Sequence, residues 1–392
     1  MKEMKLEKLQ VLLDEMVGNG FVAGANCMVL LQGKEVAYYE AGYANLEKKQ
    51  RIQRDSIFRL YSMTKPITAA AAMLLMEEGK IDLLDPVSDY IPGFKNQMVS
   101  SEELVPANRP VNLHDLLSMT SGLVYCGNQS LAEVETTKVF EEMIEKMYTD
   151  KALTTLEFAE GIAKAPLAFQ PGEKWQYGSS ADLLGAVIEV ASGMKFSDFL
   201  QKRFFEPLGM KDTAFYVPKD KRERFTTVYM DSDEGLVPYL GHNLAIMNDM
   251  AIAPAFESGG AGLVSTIDDY AAFATMLING GVHNGLRILA PKTVEYLTTA
   301  TLTNKQEPYM EGWLGLAGYS YGNLMRVMTK PNHAIFNASL GEYGWDGWLG
   351  AYFVNDPSNE LTFLLMQQKK DSGTTAYTRK LRNILAAEMK KA

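Results

Sequence analysis

What most limits the fold of this chain is where its strand-like runs fall: at its two ends. Near the start, the apolar-rich runs Ala25–Leu31 and Glu35–Tyr43 flank Gly33-Lys34. Glycine at the first central position of a two-residue turn accepts positive φ, so this pair predicts a tight hairpin. Near the end, Leu349–Val354 and Leu361–Gln367 read as strands joined by the turn-rich Asn355-Asp356-Pro357-Ser358-Asn359. A helical pattern flanks each pair on the outside. Residues 4–18 place Leu6, Leu9, Leu12, Leu13 and Met16 on one face, and Thr374–Lys390 follows the last strand. The pattern predicts an α/β chain of the α+β type, with one antiparallel sheet built from both chain ends and helices packed on its faces.

The middle of the chain reads differently. Ile67–Glu78, Leu113–Ser118, Val139–Met147, Thr155–Lys164, Ala181–Ala191 and Phe196–Phe205 carry helical patterns. The expected division is therefore a discontinuous sheet domain, residues 1–60 and 255–392, with a mostly helical domain, residues 61–254, inserted in it. Residues 226–256 are richest in turn formers and are expected to form a long surface loop.

Composition narrows the function classes. With 47% hydrophobic and 22% charged residues over 392 positions, the chain can bury a full core without covalent staples. It carries 38 Lys+Arg against 48 Asp+Glu, a net charge of −10, with no basic cluster. Nucleic acid is thus not an expected partner, because phosphate binding needs concentrated cations. Two cysteines, Cys27 and Cys126, make no disulfide framework. The segment Met1–Met16 is charged and amphipathic rather than signal-like, and no run approaches the roughly 18 apolar residues of a membrane span. The expectation is a cytoplasmic protein without a membrane partner.

The chemistry concentrates at Ser62-Met63-Thr64-Lys65-Pro66, which leads into the alanine-rich run Ile67–Leu75. Alanine is the strongest helix former, and proline is tolerated only in a first turn, where its missing N–H has no partner to lose. Ser62 is thereby placed at or just before a helix N-terminus. Residues three apart share a helix face, so the Lys65 amine reaches the Ser62 hydroxyl. A serine hydroxyl is a weak nucleophile until a neighbouring base removes its proton, and a desolvated lysine titrates low enough to do so. The helix N-terminus adds positive potential where negative charge develops.

The run Phe58-Arg59-Leu60-Tyr61-Ser62-Met63-Thr64-Lys65 resembles the first motif of the serine β-lactamase and penicillin-binding-protein superfamily. Further stretches match that superfamily in the expected order: Leu113–Leu123, Pro171–Ser179, Pro207–Met210 and Gly259–Thr266. The resemblance implies a sheet-plus-helical-domain enzyme with its site at the junction. It implies Ser62 as the acylated nucleophile, Lys65 as its partner, and Tyr177 as the tyrosine of the second, Y-x-N motif. The third residue of that motif is Ser179 here, a hydroxyl in place of an amide.

The stretch Gly344-Trp345-Asp346-Gly347-Trp348 matches the superfamily's third motif. β-Lactamases and carboxypeptidases carry a cation and a hydroxyl where this chain has Trp345 and Asp346. An indole is a single neutral donor, and a carboxylate repels a substrate carboxylate. Both changes disfavour anionic β-lactams and peptide C-termini. A tryptophan here is similar to family VIII carboxylesterases and lovastatin-type acyltransferases. Gly347 permits close substrate approach, and the backbone N–H groups of Ser62 and Trp348 are the expected oxyanion donors. Tyr125, Trp313, Tyr343, Trp345 and Trp348 are candidates for an apolar acyl pocket.

The resemblance therefore implies a serine hydrolase of small neutral acyl esters, closest to the family VIII carboxylesterases, with short acyl chains favoured. Three alternatives remain. One is an acyltransferase using the same residues. Another is a β-lactamase or D-Ala-D-Ala carboxypeptidase. The third is a degenerate penicillin-binding-like sensor without catalysis. The partner expected is a small acyl ester. No metal or organic cofactor is implied, and the oligomeric state is not legible. Gly318-Tyr319-Ser320-Tyr321-Gly322 spells G-x-S-x-G, but a strand-like run rather than a helix follows it, so Ser320 is not expected to be a nucleophile. His114, His242, His283 and His333 are scattered without metal-ligand spacing.

Overall fold

A computed structural model of the chain describes residues 5–313 and 315–389. The N-terminal helix α1 (Glu7–Gly18) leads into strands β1 (Gly24–Leu31), β2 (Lys34–Asn45) and β3 (Gln50–Arg51). Five more strands come from the far end: β4 (Tyr319–Tyr321), β5 (Arg326–Met328), β6 (Tyr343–Asp346), β7 (Tyr352–Asp356) and β8 (Leu361–Gln367). They form one sheet in the order β4-β5-β6-β7-β8-β1-β2-β3. The seam between the two chain ends is the antiparallel pair β1–β8, running from Ala25↔Gln367 to Leu31↔Leu361. The antiparallel sheet with flanking helices implied by the sequence is thus the observed architecture.

Strand alternation assigns the two faces. Cys27 and Val29 of β1, Tyr352 and Val354 of β7 and Phe363 and Leu365 of β8 face α1 and the C-terminal helix α6 (Ala376–Glu388). Met28, Phe353 and Leu364 face the main core, which includes helix α5 (Ile267–Ile278) and helix α2 (Thr64–Glu77). Helix α3 (Leu131–Lys146) and helix α4 (Ser180–Ser192) lie further along that side.

Two details differ from the sequence reading. The β1–β2 turn consists of Gln32 and Gly33, both at positive φ, because Leu31 pairs with Lys34. Gly33 therefore takes the second central position, where the Asn-Gly type of turn puts its glycine. The segment 226–256 is also more ordered than a surface loop. It contains the hairpins Tyr229–Ser232/Gly235–Pro238 and His242–Asn243/Ile246–Met247, and buries Tyr229, Ala245 and Asn248.

A buried ion pair fastens α6 to the sheet. Arg382 Nη2 donates to Glu342 Oε2 at 2.6 Å and Arg382 Nη1 to Tyr352 Oη at 2.7 Å, with both charged side chains nearly inaccessible. Removing one partner of such a pair strands the other charge. Arg382→Met is expected to lower unfolding free energy by about 3–5 kcal/mol. Urea denaturation would show this as a reduced midpoint with an unchanged m-value.

Candidate active site

Ser62 lies in the 3₁₀ turn Tyr61–Met63 that precedes α2, and Pro66 falls in the first turn of α2. The turn is held from behind by the glycine-rich segment after residue 258. Leu60 N–H donates to Leu263 O at 2.9 Å, Leu263 N–H to Thr64 Oγ1 at 3.1 Å, and Thr68 Oγ1 to Gly259 O at 2.7 Å. Glycine is required at position 259, since a Cβ there would lie 2.3 Å from Ala181 O. Tyr61, next to the serine, has φ +46°. A bulky residue in the left-handed region is costly and persists only where its surroundings enforce it. Here the Tyr61 hydroxyl donates to Asn248 Oδ1 at 2.9 Å, and its ring packs 5.0 Å from Trp348.

Lys65 is fully buried. Its Nζ donates to Gly260 O at 2.8 Å, Tyr125 Oη at 3.1 Å and Ser62 Oγ at 3.2 Å. Burial lowers its pKa to about 7, against the smaller opposing pull of the Asp182 and Asp346 carboxylates. Asp182 is itself buried, accepting from Gly260 N–H at 3.0 Å and from the Ser258 hydroxyl. Burial raises its pKa, although Lys65 works against that.

Tyr177 stands on the other side of the serine. The Lys65 amine lies 4.6 Å from its ring centroid, and Trp345 stacks on it at 5.5 Å. Burial pushes its phenol well above the usual range, while hydrogen bonds with the Ser62 hydroxyl and the Trp345 indole pull the other way. The phenol therefore holds its proton at neutral pH, whereas the amine sits at its titration point. Two groups of opposite readiness beside one hydroxyl are what general base and general acid catalysis require.

Above this cluster opens a cleft of about 710 Å³. Its walls include Ser62, Tyr125, Tyr177, Trp345, Gly347 and Trp348, which the sequence reading had gathered. Gly347 is needed for close packing, since a Cβ there would lie 2.3 Å from Leu60 O. Among the described residues, neither the Ser62 nor the Trp348 N–H donates to another group. Trp313 also lines the cleft, with its ring 5.0 Å from that of Tyr177.

Several side chains serve differently from expectation. The Trp345 indole N–H is not offered to the cleft; it donates to Tyr177 Oη at 3.0 Å. Tyr125 is more than a pocket wall, because its hydroxyl accepts from Lys65. Ser179 does not line the cleft. It is fully buried beneath it, capping α4, and its hydroxyl has no partner among the described residues. Gly178, just before it, packs so tightly on Leu123 that a Cβ would lie 2.2 Å from the Leu123 carbonyl oxygen. Tyr343 is also outside the cleft; its hydroxyl accepts from Asn355 Nδ2 at 3.1 Å inside the core. Ser320 is buried in β4.

The sequence reading missed part of the wall. His242, Leu244 and Ala245 come from one short hairpin, and Asp371, Ser372 and Gly373 from the loop after β8. Asp346 accepts from Thr374 Oγ1 at 2.9 Å and from the buried Arg326 Nη1 at 3.2 Å, while Asp371 accepts from the Trp348 indole at 2.6 Å. No lysine or arginine is among the described residues that line the cleft. Among the described residues no cluster of three or more His, Cys, Asp or Glu is placed to hold a metal ion.

Known proteins resemble the chain over nearly its whole length. A family model described as Beta-lactamase matches residues 9–388. Protein Rv1367c of Mycobacterium tuberculosis is 31% identical over 385 residues, covering 93% of this chain and 90% of that protein. Esterase EstB of Burkholderia gladioli is 29% identical over 373 residues, covering 92% of this chain and 89% of its own. Among solved structures, EstCE1, described as a hydrolase with promiscuous acyltransferase activity, superposes with a TM-score of 0.83 at 23% identity, over 97% of this chain and 98% of that one. Simvastatin synthase LovD from Aspergillus terreus gives 0.79 at 20% identity, over 97% of each chain. Those two likenesses are likenesses of fold.

Proposed function

Because the chain belongs to the β-lactamase family, whose members are serine hydrolases, we propose that it is a carboxylesterase that cleaves small neutral acyl esters through an acyl-enzyme on Ser62. The observation that carries the choice of substrate is the charge of the cleft wall. Asp346 and Asp371 line it, already paired with Arg326 and Lys370, and no lysine or arginine lines it to receive a substrate carboxylate. A neutral ester carries no such charge.

In the reaction, neutral Lys65 takes the Ser62 proton as the oxygen attacks the ester carbonyl. The Ser62 and Trp348 N–H groups receive the developing oxyanion. Tyr177 gives its proton to the departing alkoxide, and the alcohol leaves. The Lys65 ammonium returns its proton to the phenolate, and water enters to release the acid from the acyl-enzyme by the reverse set of transfers.

The test is a panel of acyl esters, nitrocefin and a D-Ala-D-Ala peptide, run with the native protein and with Ser62→Ala as the blank. Ser62-dependent turnover should be far greater on esters. Faster turnover of nitrocefin or of the peptide would overturn the assignment. An added alcohol that captures more of the acyl group than water does would turn it into an acyltransferase.

A pH dependence follows from Lys65. Only the neutral amine accepts a proton, and its neutral fraction grows as pH rises through about 7. The log of kcat/KM should therefore climb with unit slope below that point and flatten above it. Two pH units below, the rate should be lower by about a hundredfold. A flat profile between pH 5 and 8 would remove Lys65 from the role of base.

A further inference from the structure

The catalytic cleft and a second cavity share one lining residue, Ala245. In the hairpin His242–Asn243/Ile246–Met247, Asn243 pairs with Ile246, leaving Leu244 and Ala245 as a two-residue turn. Their φ values are +51° and +55°, and Met250 nearby is at +43°. Turns of this hand are normally built from Asn and Gly, because a larger side chain is strained there. Strain of this kind gathers where a chain is held against a ligand site.

The tip of this hairpin is a thin wall. On one side, Leu244 and Ala245 face the catalytic cleft together with Phe140 and Ile144 of α3. On the other side, Ala245 lines a second cavity of about 70 Å³ with Met143, Met147, Phe215, Met250 and Phe256. One helix thus supplies both walls. At the cavity rim the Asp249 carboxylate accepts from Tyr148 Oη at 3.3 Å. A water-sized group needs about 10–15 Å³, so the cavity has room for about five groups of methylene size. Methionine side chains adapt to a flexible chain better than branched ones do.

Tyr177 stands between Trp313 and Trp345 on one hand, at 5.0 and 5.5 Å, and Tyr125 on the other, at 5.8 Å. Tyr125 packs on Phe140, and Phe140, Ile144, Leu244 and Ala245 line the same cleft. A leaving alcohol on the tryptophan side puts the acyl chain on this second side. We propose that the acyl chain passes the Leu244-Ala245 tip and ends in the methionine-lined cavity, which makes medium-length acyl esters, of about eight carbons, the preferred substrates. The inference rests on the esterase reading and replaces the short chains expected from sequence.

The test is a series of p-nitrophenyl esters from acetate to dodecanoate. Each methylene removed from water raises kcat/KM about threefold, so octanoate should exceed acetate by at least about tenfold, with a fall once the cavity is full. Ala152→Phe, and separately Ala253→Phe, fills the cavity from its half-exposed or exposed rim. Each should cost octanoate about tenfold and leave acetate within about twofold. Ala245→Gly suits the left-handed turn and removes the methyl between the two spaces, so it should move the optimum to longer chains. A purely structural Ala245 would give a more stable protein with an unchanged chain-length profile. If acetate is cleaved through Ser62 while all four proteins share one profile, the cavity proposal falls and the esterase reading stands. If no ester is cleaved, both fall.

Discussion

Lys65→Met should drop ester turnover to the same floor as Ser62→Ala, a loss of roughly 10⁴-fold, and the double variant should fall no further. In the proposed mechanism nucleophile and base act as one unit, so either deletion removes the whole device. Three acceptors surround the amine: Gly260 O, Tyr125 Oη and Ser62 Oγ. An amine that served only to hold the fold would show its loss in stability rather than in kcat. Methionine fills the same buried volume without the charge. The Asp182 carboxyl, already raised by burial, loses the charge that opposed the rise and can take up a proton instead of remaining a stranded anion. Urea denaturation should therefore find a folded protein, and burst kinetics should find no acyl-enzyme. If Lys65→Met keeps more than about a tenth of native kcat, Tyr177 would have to be the base, and the acid limb near pH 7 would need another owner.

The parts of the site that were legible in the sequence are those fixed by local rules. Pro66 and the alanines behind it admit one helix start, and Ser62 and Lys65 follow from it. The two terminal strand pairs likewise leave the seam between β1 and β8 as their shared solution. What was not legible depends on contacts between distant segments. Arg326 pairs with Asp346 across neighbouring strands, and nothing at either position announces the other. The turn at Leu244-Ala245 carries no glycine or asparagine, so turn chemistry gave no sign of a hairpin there. Asp182 looks like an ordinary first-turn acid of α4 until the Gly259-Gly260 backbone is seen to bring it behind Lys65. Ser179 shows the reverse error. Its place in the motif predicted a cleft residue, but it lies fully buried at the start of α4.

Asp346 also shows why one motif position alone does not set substrate charge. Had its carboxylate replaced a hydroxyl with no other change, it would stand as an uncompensated anion at the cleft wall. Arg326 and Thr374 hold it in place, the guanidinium buried inside the sheet and turned to this carboxylate. The cleft is left with paired carboxylates and aromatic rings, a lining that suits the uncharged esters proposed as substrates.

Tyr177→Phe should separate acid catalysis from every other role of that ring. On an alkyl ester such as ethyl butyrate, kcat/KM should fall by about 10³-fold, because an alkoxide leaves only when it is protonated. On p-nitrophenyl butyrate the loss should be about tenfold or less, since p-nitrophenolate departs without a proton. Phenylalanine keeps the stacking on Trp345 and the edge contact with Trp313 and removes only the hydroxyl, so packing effects weigh on both substrates alike. The Trp345 indole N–H loses its acceptor, which is a common cost and cancels in the ratio. The ratio of the two losses is thus the measurement that matters. A ratio near one hundred places the proton donor at this phenol. Equal losses would mean that Tyr177 only positions Ser62 and Lys65, and that the leaving group takes its proton from the lysine ammonium or from water.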